Sequence, residues 1–140
     1  MINMFKMALE YASSRNDERL FLIGALGLRH DQKLVKSRNL PVMVDQKIMN
    51  GYNERYPYPY KHAEECLLRK LGRSDGRNTP IVWVARQLRL NGRMAMARPC
   101  KTCETLLSYA GVERVHYTIS EMEWGTMFPR SGKDDRIYQF

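Results

Sequence analysis

An α/β fold built on a mixed sheet is what this chain predicts, and three observations carry that expectation. Short apolar stretches rich in β-formers alternate with segments of helical periodicity, the pattern of a sheet packed against helices. The first two strand-like stretches are separated only by a polar turn, which suits an antiparallel hairpin. Late in the chain, residues 120–123 are all that lies between strand-like residues 113–119 and 124–128, too short a link for a parallel crossover.

Met4, Phe5, Ala8, Leu9, Tyr11 and Ala12 recur at helical spacing until Ser13 and Ser14 break the pattern, so the chain should open with a short amphipathic helix. Residues 20–28 are almost wholly apolar and include Gly24 and Gly27, as expected of a strand buried on both faces. His30, Asp31 and Gln32 make a turn, and residues 33–37 return as a second strand. From 38 to 61 the chain is irregular, punctuated by Pro41, Gly51, Pro57 and Pro59, with one helical turn expected near 45–49. Residues 62–71 form a helix with Ala63, Cys66, Leu67 and Leu71 on its apolar side and Gly72 past its end. After a polar turn over 73–78, residues 81–85 make a third strand. Asn91-Gly92 marks a tight turn, and 93–97 return briefly as strand. Pro99 suits the first position of a helix running to Ala110, with Gly111 as its stop. Residues 113–119 are a fourth strand, 124–128 its antiparallel neighbour, and 136–140 a short last strand.

A chain of 140 residues with 44% hydrophobic content suits one domain over residues 1–140 with one sizeable core. No apolar run reaches membrane-spanning length, and residues 1–6 lack the plan of a secretion signal, so a soluble intracellular protein is expected. Of three cysteines, two fall in one short motif, which argues against a disulfide framework. The 23 Lys and Arg against 15 Asp and Glu give a net charge of +8, a surface that attracts polyanions or simply stays solvated.

Two motifs carry chemistry. Pro99-Cys100-Lys101-Thr102-Cys103 sets two thiols three residues apart, on one helix face, where they can grip one ion. His62-Ala63-Glu64 offers an imidazole as a third ligand and a carboxylate beside it. Three protein ligands leave a tetrahedral zinc one place for water, the arrangement of a catalytic site. Alone, Cys-x-x-Cys also suits a redox pair or half a zinc ribbon. Cys66, one turn beyond His62, is assigned to the core, Glu65 to the surface, and His30 and His116 to structural roles.

Together, in this order, the two motifs resemble the signature of the zinc nucleobase deaminases, the cytidine and deoxycytidylate deaminase superfamily, over roughly residues 20–119. The resemblance implies a three-layer fold, a central mixed sheet of about five strands flanked by helices carrying the zinc motifs. It implies Zn²⁺ on His62, Cys100 and Cys103, with Glu64 shuttling protons from water to the ring nitrogen and the departing ammonia. It also matches Asn39 to an asparagine that bonds the sugar hydroxyl, and Tyr117 to an aromatic that closes the pocket. Ala63 and Ala97 are candidate substrate contacts because a small side chain lets backbone approach the base. Within the superfamily, as the resemblance implies, free-nucleoside deaminases end antiparallel, whereas deoxycytidylate, tRNA and polynucleotide enzymes insert a helix and run parallel.

The substrate is where the sequence pulls two ways. From residue 69 to 101 the chain carries Arg69, Lys70, Arg73, Arg77, Arg86, Arg89, Arg93, Arg98 and Lys101 against only Asp75, and Tyr52, Tyr56, Tyr58 and Tyr60 precede His62. Cations flanking the metal motifs and aromatic faces beside them suit single-stranded nucleic acid, with Arg86, Arg89, Arg93 and Arg98 as backbone contacts and Tyr60 against the base. The expectation is cytosine deamination in single-stranded DNA. Compactness and the antiparallel ending favour the alternative, free cytidine or deoxycytidine nucleosides or nucleotides.

Overall fold

The computed structural model of the chain describes residues 1–14, 21–29, 33–41, 60–71 and 81–140. Several sequence expectations lie outside them: Leu20, the turn with His30, the helical turn at 45–49, Tyr52, Tyr56, Tyr58, Gly72, and the turn with Arg73, Asp75 and Arg77.

Helix α1 (Ile2–Ser13) buries Phe5, Ala8, Leu9 and Ala12, the stripe its periodicity predicts. Strand β1 (Phe21–Leu28) pairs antiparallel with β2 (Leu34–Arg38) in the expected hairpin. The long connection that follows is bracketed by two short strands, β3 (Leu40–Pro41) and β4 (Tyr60–Lys61), paired antiparallel. Whatever path lies between, its two ends are clamped together, and β4 delivers the chain straight into His62. Helix α2 (Ala63–Leu71) follows. Strand β5 (Ile81–Leu88) is three residues longer than the sequence suggested, because after the buried Val82, Val84 and Ala85 the ladder to β1 continues through Arg86 and Gln87. A tight turn with Gly92 at φ 70° leads to β6 (Met94–Ala95), which folds back on β5.

Helix α3 (Lys101–Ala110) closes as foreseen on Gly111, whose left-handed backbone (φ 89°) lets Val112 N–H reach the Leu107 carbonyl at 3.1 Å. Its start differs from expectation. Pro99 precedes the helix, and Cys100 is the cap. Cys100 stays extended, so its sulfur can accept the Cys103 amide at 3.5 Å. Strands β7 (Arg114–Thr118), β8 (Glu123–Met127) and β9 (Arg136–Gln139) complete the chain.

The main sheet has the order β2-β1-β5-β7-β8-β9, with β6 added on β5. It therefore holds seven strands among the described residues; the family resemblance implied about five, and the short β6 and the tail strand β9, both expected from the sequence at 93–97 and 136–140, make the difference. Strands β5 and β7 run parallel, joined through α3, while β7, β8 and β9 are antiparallel to one another. Side chains alternate across the sheet. Ala25, Val82, Val84, Val115 and Tyr117 face a core with Ala63, Leu67 and Leu107 of α2 and α3. Leu26, Ala85, Trp83 and Trp124 face Phe5, Ala8 and Leu9 of α1. The result is three layers, one helix on one face and two on the other. No helix among the described residues is long and apolar enough to cross a membrane.

Candidate active site

The site lies beside the end of β5 on the two-helix face, where three chain segments converge. Helix α2 brings the first. His62 stands just before it and accepts the Cys66 amide through its carbonyl at 3.1 Å, so the imidazole projects from the helix start. The first turn is fastened to β2 by the Ser37 hydroxyl, which donates to the Ala63 carbonyl at 2.6 Å. The second segment, 95–100, leaves β6 and crosses to β7: Ala97 N–H donates to the Thr118 carbonyl at 2.9 Å, and the Thr118 hydroxyl to the Ala95 carbonyl at 2.7 Å. That crossing puts Cys100 at the head of α3. The third segment is the junction after β2, where Asn39 follows.

Here His62, Cys100 and Cys103 meet, from positions 38 and 41 residues apart in the chain. The His62 Nδ1 atom lies 3.4 Å from Cys100 Sγ and 3.3 Å from Cys103 Sγ, and all three ligand atoms fall within 4.8 Å of one another. Tetrahedral zinc with Zn–N near 2.0 Å and Zn–S near 2.3 Å needs N···S separations of about 3.5 Å, so the donor set fits that ion. Cys103 beside it, ahead of His62, holds the Cys100 thiol down to about 4, while sharing that hydrogen bond and being buried push the Cys103 thiol up. Contact with Cys100 raises His62 above its ordinary value. Cys66 is buried and is not among the converging ligand atoms.

A cavity of about 360 Å³ opens over these atoms, lined by Phe21, Ile23, Asn39, His62, Glu64, Arg86, Met96, Ala97, Arg98 and Cys100. That is the size of a small-molecule site. Glu64 lines it although it is only 5% exposed, and burial raises its carboxyl above the ordinary range. Asn39 lines it too, yet its amide is fastened to β1: Oδ1 accepts from Ile23 N–H at 3.0 Å and Nδ2 donates to the Phe21 carbonyl at 3.1 Å. Ala97 is part of the wall, whereas Ala63 is wholly buried in the core.

Other expectations are corrected. Tyr117 does not reach the cavity lining; it is a core residue, and its hydroxyl donates to Asp135 Oδ2 at 2.5 Å. Glu65 is not on the surface but 8% exposed, paired with Arg69 at 3.0 Å one turn along the helix. Tyr60 lies in β4, and its side chain is outside the described residues. Of the four arginines, Arg86 and Arg98 line the cavity, while Arg89 and Arg93 are exposed at the β5–β6 turn. Alternation explains Arg86, which follows Val82 and Val84 on one face of β5; its guanidinium lies over the Phe21 ring at 4.3 Å. Arg98 is forked by Asp135, at 2.7 Å through Nε and 3.3 Å through Nη2, and stands 3.6 Å from Glu104. Nothing local in the sequence flagged Asp135, whereas Phe21 and Ile23 follow from strand alternation alone.

A three-layer fold with a His/Cys/Cys centre under a small cavity defines a zinc-dependent enzyme of the nucleobase deaminase type. Comparison with known families bears this out: the family model described as the cytidine and deoxycytidylate deaminase zinc-binding region matches residues 2–119, and the chain belongs to that family. No curated protein matches the chain by sequence. Among solved structures, it is similar to cytidine deaminase from Burkholderia pseudomallei, with 14% identity, a TM-score of 0.56 and coverage of 99% of this chain and 92% of that one. Cytidine deaminase from Mycobacterium leprae gives 18% identity and a TM-score of 0.55 over 89% and 88% of the two chains. At such identities the likeness is one of fold.

Proposed function

We propose that the protein hydrolyses the exocyclic amino group of cytosine in free cytidine or deoxycytidine compounds, giving uracil and ammonia. The observation that carries this is the state of the two arginines at the cavity: Arg98 is engaged by Asp135 and Glu104, and Arg86 rests on the Phe21 ring. A cation already matched by two carboxylates and another resting on an aromatic ring make a poor track for a polynucleotide backbone. The antiparallel β7–β8 pair supports the same reading.

When bound, zinc supplies acidity, lowering the pKa of a water from about 15.7 toward 7. His62, Cys100 and Cys103 would hold it, with the Cys100 thiol favoured as an anion by the Cys103 amide hydrogen at the start of α3. Two thiolates cancel the charge of the ion, so a base is needed nearby. Glu64 is that base. Its buried carboxylate takes a proton from water and passes it to the ring nitrogen as the hydroxide oxygen adds at C4; it then takes the proton of the new C4 hydroxyl and delivers it to the amino group, so that the C4–N4 bond breaks, ammonia leaves and the C4 carbonyl forms. Ala97 leaves room for the base at the cavity wall.

The test is to offer zinc-loaded protein cytidine, cytidine monophosphate and a single-stranded oligonucleotide and to measure uracil formation. Uracil from the oligonucleotide alone would sink the free-substrate reading. The second reading, single-stranded DNA, is favoured by the +8 charge and by the exposure of Arg89 and Arg93. It requires binding that weakens with salt at a log-log slope of about −0.7 per phosphate, and an Arg89→Ala/Arg93→Ala variant with a flatter slope.

A further inference from the structure

We infer that Asp135 and Glu104 are specificity-determining residues, which cancel the charge of Arg98 at the cavity so that it accepts a cytosine nucleoside in preference to the same nucleoside bearing a phosphate. This rests on the free-substrate reading above and narrows it.

The protein carries +8 overall, and a cavity lined by two arginines would be expected to draw anions. The local arrangement opposes that. Asp135 takes Arg98 through a two-point fork at 2.7 and 3.3 Å, the geometry in which guanidinium and carboxylate satisfy each other most completely. Glu104, in the first turn of α3, adds a second carboxylate 3.6 Å from Nη1. Burial works against ionisation of Asp135, but its bonds to Arg98 and Tyr117 prevail and hold its carboxyl below the usual range, so it is an anion at neutral pH. Both acids thus act on Arg98, so of the two cations lining the cavity this one brings it no net positive charge. A dianionic phosphate would have to displace or approach those carboxylates, and like charges brought together oppose binding.

Asp135 is held in turn. Tyr117, rooted in the core, donates its hydroxyl to Oδ2 at 2.5 Å. The acid belongs to the segment between β8 and β9, so the tail of the chain reaches back to Arg98 at the cavity wall through this side chain. Its role toward substrate is one of position and charge; it does not touch the reacting atoms.

The experiment reads binding of the product pair, uridine and uridine monophosphate, by calorimetry on zinc-loaded protein, so it does not depend on turnover. Wild type should bind uridine at least as tightly as the monophosphate, with a ratio little changed by salt. Asp135→Asn/Glu104→Gln should shift the ratio toward the monophosphate by about tenfold, and the shift should shrink as salt rises. Glu104→Gln alone, which leaves the Asp135 anchor in place, should move it the same way by about threefold. Because both ligands are measured on one preparation, loss of folded protein cancels from the ratio. A wild type that prefers the monophosphate, or variants whose ratio does not move, would overturn the inference. Turnover of cytidine by wild type separately judges the reading beneath it.

Discussion

The two faces of the sheet are built from the same strands and do opposite things. On the α1 face, Phe5 meets Trp124 at 6.3 Å and Phe140 at 6.0 Å, and Trp124 stacks on Tyr138 at 4.4 Å. Ala8 packs so closely that a Cβ on Gly24 would strike its carbonyl. On the α2 and α3 face the sheet buries Ser37, Asn39 and Glu64 among its apolar residues, beside two thiols. Burying polar groups costs free energy unless each finds a partner. Ser37 and Asn39 find theirs in backbone, whereas burial leaves Glu64 with a raised proton affinity. The aromatic face supplies stability, and the helix-pair face uses some of it to hold chemistry.

If that division is right, substitutions on the two faces should fail differently. The largest effect belongs to Cys103→Ala, which should lose zinc and all deamination, since two remaining ligands cannot hold a closed shell. Metal analysis decides it; full zinc occupancy with intact activity would show the ligand set wrong. Next comes Glu64→Ala, which should keep zinc and fold while turnover falls about a hundredfold or more. Activity within tenfold of wild type would remove Glu64 from the proton path. On the other face, Gly24→Ala must push α1 off the sheet and should cost about 3 kcal/mol, or roughly 10 °C in Tm. It should keep its zinc and its turnover at temperatures where it is folded. A Gly24→Ala protein as stable as wild type, or one that loses zinc while folded, would break the comparison.

This division also marks what the sequence made legible. The metal site was open to reading because its ligands are chemically rare and regularly spaced: Cys100 and Cys103 share a helix face, and His62 stands two residues from Glu64. Hairpin β1–β2 and the antiparallel β7–β8 pair were fixed by short links. Tyr117 was misplaced because an aromatic after buried Val115 satisfies either a pocket or a core, and only the position of Gly125 beneath its ring, where a Cβ would come within 2.6 Å, selects the core. Glu65 was misplaced because rotation by one residue on a helix says where a side chain points but not what covers it. The pairing of Arg98 was hidden for a deeper reason. Its partner Asp135 lies 37 residues on, and no local pattern links them.

The smallest expected effect is a pH dependence confined to the aromatic face. His116 lies there between Trp83 at 5.9 Å and Trp124 at 5.5 Å, and forms a hydrogen bond with the Thr126 hydroxyl at 2.7 Å. Burial, with Arg114 and the N-terminal ammonium adding repulsion, drives its pKa down to about 4, from about 6.5 in an unfolded chain. The folded state therefore resists a proton that the unfolded state accepts. The stability His116 contributes is complete above about pH 6.5 and is lost as pH falls from there toward 4, with a slope that one proton limits to about 1.4 kcal/mol per pH unit. Urea unfolding followed across this window should show wild type losing stability more steeply than His116→Gln, with the two parallel above pH 7. Equal slopes throughout would mean that the imidazole takes up its proton as readily in the fold as in the unfolded chain, and burial on the aromatic face would then not keep it neutral.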